Sequence, residues 1–212
     1  MKKAIIICLS LLFCLISTNM YAEENRNDDI FQINVLGTNL GSGFSAGIFL
    51  NENILLSGEN FNIALEEEDE VENEKIELDF KTSIISAKFF PFDDSAFFLQ
   101  GGVVYRDWKV IGHFYDLDQD GLVEGVSDYA KITVTFPEAA STYGLGALWI
   151  WDSGFSFGLG AGAISGGAPD VKIEADIGAS QTDIDREEAR IKDDLEQYKT
   201  VGFGYISLGF TF

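Results

Sequence analysis

The sequence has 212 residues, with 14 Lys and Arg against 35 Asp and Glu, which gives a formal net charge of −21. So acidic a chain is a poor partner for nucleic acid, whose phosphates attract clustered basic side chains. The two cysteines, Cys8 and Cys14, both lie in the first 22 residues. Residues 23–212 therefore hold no disulfide, thiolate nucleophile or cysteine metal site.

Residues 1–22 are predicted to be a secretory signal peptide. Lys2 and Lys3 form its positive start, an apolar run follows, and Ala22 suits the position before cleavage. The apolar run is too short for a comfortable membrane-spanning helix. We therefore expect export and cleavage, which leaves residues 23–212 as one all-β domain.

Short segments of alternating apolar and polar residues make up the rest of the chain, a pattern typical of β-strands. Turn-like connections alternate with longer polar ones, as in an up-and-down meander whose two ends face different environments. The predicted strands are 30–37, 43–50, 54–64, 78–91, 95–110, 131–151, 155–165 and 200–212. Eight is an even number, so both ends of the domain are expected on the same side.

The alternation separates bulky apolar residues from small ones. In one late strand, Phe155, Phe157 and Leu159 share a face, while Gly158 and Gly160 share the other. The glycine face has too little apolar volume for a soluble core, and the opposite face is too apolar for water. We therefore predict an eight-stranded transmembrane β-barrel, with apolar residues facing lipid and small or polar residues filling the lumen. The alternative is a soluble β-sandwich or lipocalin-like barrel.

Two further groups of residues fit a membrane barrel. Aromatic residues beside short turns are placed where an interfacial girdle would lie; they are Phe89, Phe90, Phe92, Phe97, Trp149, Trp151 and Phe155. Candidate polar residues of the lumen are Glu59, Lys88, Arg106, Gln32, Asn34 and Gln100. The alternation is ambiguous around Glu59 and Lys88. Because charges in so narrow a lumen need partners, we expect a network that plugs it.

The chain ends with YISLGFTF, and one face of this segment is wholly apolar. That face carries Ile206, Leu208, Phe210 and Phe212. The ending resembles the C-terminal assembly signal of bacterial outer-membrane barrel proteins, and the architecture from residue 23 onward resembles the small OmpA, OmpX and OmpW class. An ordinary C-terminal edge strand is the alternative.

This resemblance implies a Gram-negative outer-membrane location, with short periplasmic turns and long outer loops. It also implies a monomer that contacts outer-membrane lipid and lipopolysaccharide. The barrel-assembly machinery is expected to recognise the strand that ends at Phe212, and this strand is expected to close the barrel against the first.

The segment DLDQDGLVEGVSD, residues 116–128, matches the first half of an EF-hand-type calcium loop. Alternating carboxylates can converge on one cation, and the glycine at position 121 allows the sharp turn. The candidate calcium ligands are Asp116, Asp118, Asp120, the Leu122 carbonyl and Glu124. Ser127 occupies the position of the expected bidentate glutamate. Weak calcium binding is the hypothesis, and a solvated acidic loop is the alternative.

Two other connections are distinctive. Residues 66–77, EEEDEVENEKIE, are predicted to form a hydrated, mobile loop because like charges at this density repel. Residues 183–199 are predicted to form a helix with an i,i+4 pair between Glu188 and Lys192. Its apolar stripe consists of Ile184, Ile191, Leu195 and Tyr198. The stripe is expected to pack over the barrel mouth or, alternatively, to bind a partner.

No motif specifies catalysis. The sequence has one histidine, His113, at the outer end of a strand, and no nucleophile and base are placed together by spacing. We therefore predict a non-enzymatic barrel with an envelope-structural or surface-interaction role. The alternative function is a narrow conduit for small apolar solutes, of the OmpW kind.

Overall fold

The computed structural model describes residues 30–69, 74–92, 95–115, 129–175 and 180–212. The strands are β1 Phe31–Thr38, β2 Gly41–Asn51, β3 Ile54–Asp69, β4 Glu74–Phe89, β5 Phe97–Tyr115, β6 Tyr129–Thr135, β7 Ala139–Ile150, β8 Phe155–Gly166, β9 Asp170–Ala175 and β10 Thr200–Thr211. One α-helix, α1 Gln181–Leu195, is followed by the 3-10 helix Glu196–Lys199. Among the described residues, no helix has the length and apolarity needed to cross a membrane.

Eight of the strands form a closed antiparallel barrel, as predicted. The ring runs β1–β2–β3–β4–β5–β7–β8–β10 and closes where β10 pairs with β1. In this closing pair Val35 lies opposite Leu208, and the backbones of Phe31 and Phe212 exchange two hydrogen bonds of 2.9 Å. The prediction that the last strand closes the barrel against the first is confirmed.

The two ends of the barrel differ in their connections. At one end, here called the turn end, short connections join β2 to β3, β4 to β5, and β7 to β8. Ile30 and Phe212 also lie there, joined by a 3.2 Å backbone hydrogen bond. At the opposite end, the loop end, the strands reach different heights, because β3, β4 and β5 are 16, 16 and 19 residues long while β1 has 8.

The outer wall is apolar over the half of the barrel nearer the turn end. Large side chains point outward and stay exposed, Val35 to 63% and Ile85 to 62%. Others in this band are Ile33, Phe44, Ile48, Leu56, Leu99, Val103, Ile206 and Leu208. So continuous an apolar band is suited to lipid rather than to water. The predicted sidedness of a transmembrane barrel is therefore confirmed.

An aromatic girdle surrounds the turn end, with corrections to the predicted set at Trp149 and Phe90. Trp149 is only 8% exposed, and its ring is stacked on that of Phe157. Phe89, Phe92, Trp151 and Phe155 lie on the exposed outer surface. Phe90 instead points into the lumen and is fully buried. It contacts the buried Phe98 ring at 5.6 Å. The strand alternation gives the reason, because consecutive phenylalanines must face opposite sides.

The lumen is not filled by small and polar residues alone, as the glycine pattern had suggested. Bulky side chains are buried inside it, among them Phe61, Phe98, Trp108, Phe203 and Tyr205. The glycines of β7 and β8 make room for these rings. A Cβ added at Gly160 would lie 2.7 Å from the Tyr205 ring, and one at Gly146 would lie 2.6 Å from the Phe98 ring.

The predicted strand 131–151 is interrupted at residues 136–138 and becomes β6 and β7. Pro137 has no backbone N–H to donate to a ladder. Both pieces still pair with β5, since Phe136 N donates to Trp108 O and Glu138 O accepts from Arg106 N. Strand β9 was not predicted and pairs with β6 alone among the described strands.

A five-stranded sheet therefore continues beyond the barrel wall at the loop end. This sheet, here called the extension, comprises residues 63–69 of β3, 74–80 of β4 and 108–115 of β5, together with β6 and β9. Its strand order is β3–β4–β5–β6–β9. Strand β2 does not reach it, because the last β2–β3 pair toward this end joins Ser42 to Asn62.

The prediction of a mobile loop over residues 66–77 was wrong for most of that segment. Residues 66–69 belong to β3 and residues 74–77 to β4, in continuous register. Lys75 Nζ lies 2.6 Å from Glu66 Oε1 and 2.9 Å from Glu77 Oε1. One lysine thus offsets part of the repulsion that the run of acidic residues had implied.

The predicted helix is present as α1 and the 3-10 helix, but its side chains are engaged differently. Glu188 and Lys192 do not bond to each other. Glu188 Oε1 accepts a 2.7 Å hydrogen bond from the backbone N–H of Ile173, and Lys192 Nζ donates to Asp170 Oδ1 at 2.8 Å. The helix thus lies against β9 and covers part of an otherwise open sheet edge, a common means of protecting an edge strand.

Candidate functional site

A buried ion pair lies inside the barrel. Lys88 Nζ donates to Glu59 Oε1 at 3.0 Å, and each residue is only 6% exposed. The two residues are not direct cross-strand partners, because Lys88 pairs with Leu55 and Glu59 pairs with Ile84, so their long side chains extend along the lumen to meet. A lone charge in such a place costs several kcal/mol, about 3–5 when one partner of a buried pair is removed. The general expectation that charges in the lumen have partners holds for Glu59 and Lys88.

Neutral side chains extend this pair across the lumen. Ser57 and Ser86 share a 3.0 Å hydrogen bond, and Gln100 Nε2 donates to Ser86 Oγ at 3.1 Å. Gln100 Oε1 accepts from the Tyr205 hydroxyl at 3.3 Å. These residues come from β3, β4, β5 and β10, so the network joins opposite walls of the ring.

Aromatic rings pack around the network. Lys88 Nζ lies 5.5 Å from the centroids of both the Phe98 and the Tyr205 rings, a cation–π distance. Phe61 and Phe90 are also buried in this core. Eight strands leave room only for side chains or one small ligand, and here side chains occupy the centre of the lumen.

A second polar group lies toward the turn end. Asn34 Nδ2 donates to Ser45 Oγ at 3.0 Å, and Asn34 Oδ1 accepts from Ser156 Oγ at 3.0 Å. Gln32 is buried as well. All six candidate lumen residues therefore face the interior, as the sequence predicted. Ser57, Ser86 and Tyr205 were missed; Tyr205 could have been found because its position has the same parity as Ser207.

Arg106 is buried without a counter-charge. It is 2% exposed, and its Nε donates to Pro137 O at 2.8 Å. Its guanidinium carbon lies 4.9 Å from the Trp108 ring centroid and 5.4 Å from that of Phe136. Neither terminal nitrogen has a hydrogen-bond partner among the described residues, and no carboxylate there is within ion-pair distance. The expectation that Arg106 joins the plugging network was wrong.

The extension is amphipathic, and its inner face continues the lumen wall. One row across all five strands is apolar: Leu65, Leu78, Val110, Val134 and Val171. The next row toward the loops is also apolar from β4 to β9: Ile76, Gly112, Ile132 and Ile173. At the β3–β4 side this face is open, with Leu65 exposed to 53% and Ile76 to 41%.

The outer face of the extension carries charges of both signs. Lys75, His113, Lys131 and Glu174 occupy one cross-strand row. Lys131 Nζ lies 3.6 Å from Glu174 Oε2, and Lys172 Nζ lies 2.6 Å from Glu174 Oε1. The hydrogen bond from Lys172 lowers the pKa of Glu174 below its ordinary value. Opposite charges on neighbouring strands stabilise strand pairing in the part of the sheet that continues beyond the barrel.

His113 lies within this charged row. Its Nδ1 is 3.0 Å from the Tyr129 hydroxyl, and its Nε2 is 3.7 Å from Glu77 Oε1. The hydrogen bond from Lys75 lowers the pKa of Glu77. The ring therefore contacts a phenol and a carboxylate at the outer surface of the extension.

The candidate calcium ligands Asp116, Asp118, Asp120, Leu122 and Glu124 lie outside the described residues, and the calcium hypothesis stays a prediction. Within the parts of the chain that the structure does describe, no group of three or more His, Cys, Asp or Glu side chains is arranged to hold a metal ion.

The fold has solved counterparts. The crystal structure of Acinetobacter baumannii CarO matches with a TM-score of 0.59 and 14% identity, over 89% of this chain and 100% of that one. Acinetobacter baumannii CarO2 matches with a TM-score of 0.59 and 16% identity, over 88% and 100% of the two chains. The N-terminal β-barrel domain of Pseudomonas aeruginosa OprF gives a TM-score of 0.40 at 12% identity, over 87% and 98%.

No protein-family profile matches the sequence, and no curated protein matches it significantly. At 14–16% identity the likeness to the CarO structures concerns the fold alone. The chain thus has the fold of a small eight-stranded outer-membrane barrel.

Proposed function

We propose that this protein is a monomeric, non-enzymatic outer-membrane barrel that presents the extension at the cell surface as an interaction platform. The proposal places the short turns in the periplasm and the loop end outside the cell. We also propose that the segment 1–22 directs export and that the barrel-assembly machinery recognises the strand ending at Phe212. The barrel is proposed to contact lipopolysaccharide in the outer membrane.

The buried ion pair between Lys88 and Glu59 is the observation that carries this proposal. It lies at the centre of the lumen with Ser86, Gln100 and Tyr205 bonded around it. An open pore would need these groups to separate and remain solvated, whereas here they bond to one another. Because side chains fill the lumen, we place the function in the part of the protein outside the membrane, which is the extension at the loop end.

The position of His113 supports a non-enzymatic role. Its ring contacts Tyr129 and Glu77 on a face covered with ion pairs, and within the described part of the chain no serine or threonine hydroxyl is hydrogen-bonded to it, as a triad-type hydrolytic site would need. Weak calcium binding by Asp116, Asp118 and Asp120 is a further part of the proposal, and it would add a cation to the surface platform.

Single-channel recording in planar bilayers tests the plugged lumen. The refolded protein is expected to give no discrete openings, and heat-modifiable gel migration of the same sample verifies that the barrel is folded. Discrete, reproducible openings would contradict the proposal and favour the alternative, a narrow conduit for small apolar solutes.

A further inference from the structure

The unpaired guanidinium of Arg106 lies on the inner side of β5, nearer the turn end than the open apolar face of the extension. Trp108 and Phe80 form the inward row between them, with ring centroids 5.2 Å apart. Val110 lies four residues beyond Arg106 on β5, a distance of about 13 Å along a strand. A fixed positive charge and an apolar wall are therefore separated by a span comparable to a medium-length hydrocarbon tail.

Arg106 lacks the partners that its burial demands. A buried donor without an acceptor costs about 1–3 kcal/mol, and more when it is charged. The Nε edge of the guanidinium is already bonded to Pro137 O, while both terminal nitrogens remain free among the described residues. Two parallel N–H groups of this kind match the two oxygens of a carboxylate.

The surroundings restrict the anion that Arg106 can accept. The Trp108 and Phe136 rings flank the guanidinium, and a Cβ at Gly166 would lie 2.5 Å from its Nη2. Little room adjoins the guanidinium, which restricts any bound anion to a small, planar head. A single cation in a chain of net charge −21 also balances a monoanion better than a doubly charged phosphate.

The inner face of the extension supplies the complementary apolar surface. Leu65 and Ile76 are exposed there although both lie on a face of aliphatic residues. On the opposite face of the same strands, Glu66 and Glu77 are engaged by Lys75. The inner side of the extension is thus apolar except toward its loop-end tip, where Glu67 lies opposite Ile76, and its outer side is charged.

We propose that the loop end binds an amphipathic monocarboxylate, whose carboxylate pairs with Arg106 and whose apolar tail lies against the inner face of the extension near Leu65 and Ile76. Movement of the aromatic row of Phe80 and Trp108 would admit the head group. This proposal rests on the surface-interaction role, and it names the chemical class of the ligand.

Trp108 provides a reporter for the test. Its indole Nε1 donates to Thr82 Oγ1 at 2.8 Å, and its ring lies against Arg106. The chain has three tryptophans. Trp151 is exposed on the outer wall, and Trp149 is 8% exposed there and stacked on Phe157; both report on partition of a ligand into the surrounding bilayer. Indole resonances of ¹⁵N-tryptophan-labelled protein in phosphatidylcholine nanodiscs would be followed, with Trp108 assigned from a Trp108→Phe sample.

The probes are octanoate, acetate and octan-1-ol. Octanoate is expected to shift the Trp108 resonance saturably, whereas acetate, which lacks the tail, and octan-1-ol, which lacks the charge, bind at least about tenfold more weakly. Arg106→Gln is expected to weaken octanoate binding about tenfold or more, the range for a hydrogen bond to a charged group. Leu65→Asn, at an exposed position, is expected to weaken octanoate but not acetate.

Glu66→Gln is the matched control for Leu65→Asn, because it is the adjacent residue on the opposite face, and it should leave octanoate binding unchanged. The proposal is overturned if octanoate shifts only Trp149 and Trp151, if Arg106→Gln binds it as wild type does, or if acetate binds equally well. Channel openings in planar bilayers would contradict the plugged lumen of the proposed function, whereas the Trp108 resonance tests the carboxylate site. Failure of one proposal can therefore be distinguished from failure of the other.

Discussion

Lys88 and Glu59 form an ion pair of 3.0 Å inside the barrel, with side-chain exposures of 7% and 3%. They come from adjacent strands and are held by a chain of hydroxyl and amide groups that reaches β10 on the far wall. The pair is thus part of the structure that fills the lumen, and its energetics can be tested directly.

Lys88→Met is expected to destabilise the barrel by about 3–5 kcal/mol, because it leaves Glu59 charged, buried and unpaired. Urea unfolding of the refolded protein in lipid vesicles measures this. The double variant Lys88→Met/Glu59→Leu should recover much of the loss, since it removes both charges. A double variant as unstable as the single one would show that the pair is not the dominant interaction.

Gly160→Ala is expected to destabilise the barrel by about 1–3 kcal/mol, the usual cost of overpacking. The new methyl group would lie 2.7 Å from the buried Tyr205 ring. Gly204→Ala is the matched control, because its Cβ would point to the lipid side, with the nearest atom 3.7 Å away. Equal thermal stability of the two variants would refute the role assigned to Gly160.

The carboxyl group of Glu77 is expected to titrate below the ordinary value of 4.5, because Lys75 donates a hydrogen bond to it. A depressed pKa means that this interaction contributes at neutral pH and is lost as the pH falls through the lowered value. Carboxyl ¹³C NMR titration measures it. Lys75→Met should raise the pKa of Glu77, and an unchanged midpoint would contradict the assigned cause.

Calcium binding is expected to depend on Asp118 and Asp120. Calorimetric titration of the refolded protein with calcium should show a weak site that the Asp118→Ala/Asp120→Ala variant lacks. Glu67→Ala/Glu68→Ala removes the same charge from another acidic segment and serves as the control. Identical curves for wild type and the Asp118→Ala/Asp120→Ala variant would dispose of the site.

Some features could be predicted from the sequence because they depend only on the period of two in a strand. Bulky residues such as Leu208 alternate with small ones such as Ser207, and this determined the sidedness of the wall. The same alternation placed Arg106 and Gln100 inside. The aromatic ending at Phe212 indicated the closing strand, since it continues the outward face to the last residue.

Other features needed the tertiary structure because they arise from residues far apart in the chain. The alternation placed Gly160 on the lumen face, but the need for a glycine there follows from the Tyr205 ring, 45 positions away, which packs against it. The sequence predicted a loop over residues 66–77 because the mutual repulsion of its acidic side chains can be inferred from sequence alone. The ion pairs that Lys75 makes depend instead on the register between β3 and β4.

The sequence by itself thus determined which face meets lipid in the strands whose alternation is clear, and it left the strands of Glu59 and Lys88 open, because sidedness follows from local alternation alone. Only the tertiary structure decided that Lys88 reaches Glu59 while Arg106 is left unpaired, and that five strands continue beyond the barrel. Those outcomes depend on how strands are staggered around the closed ring, and stagger is set by contacts among all of them.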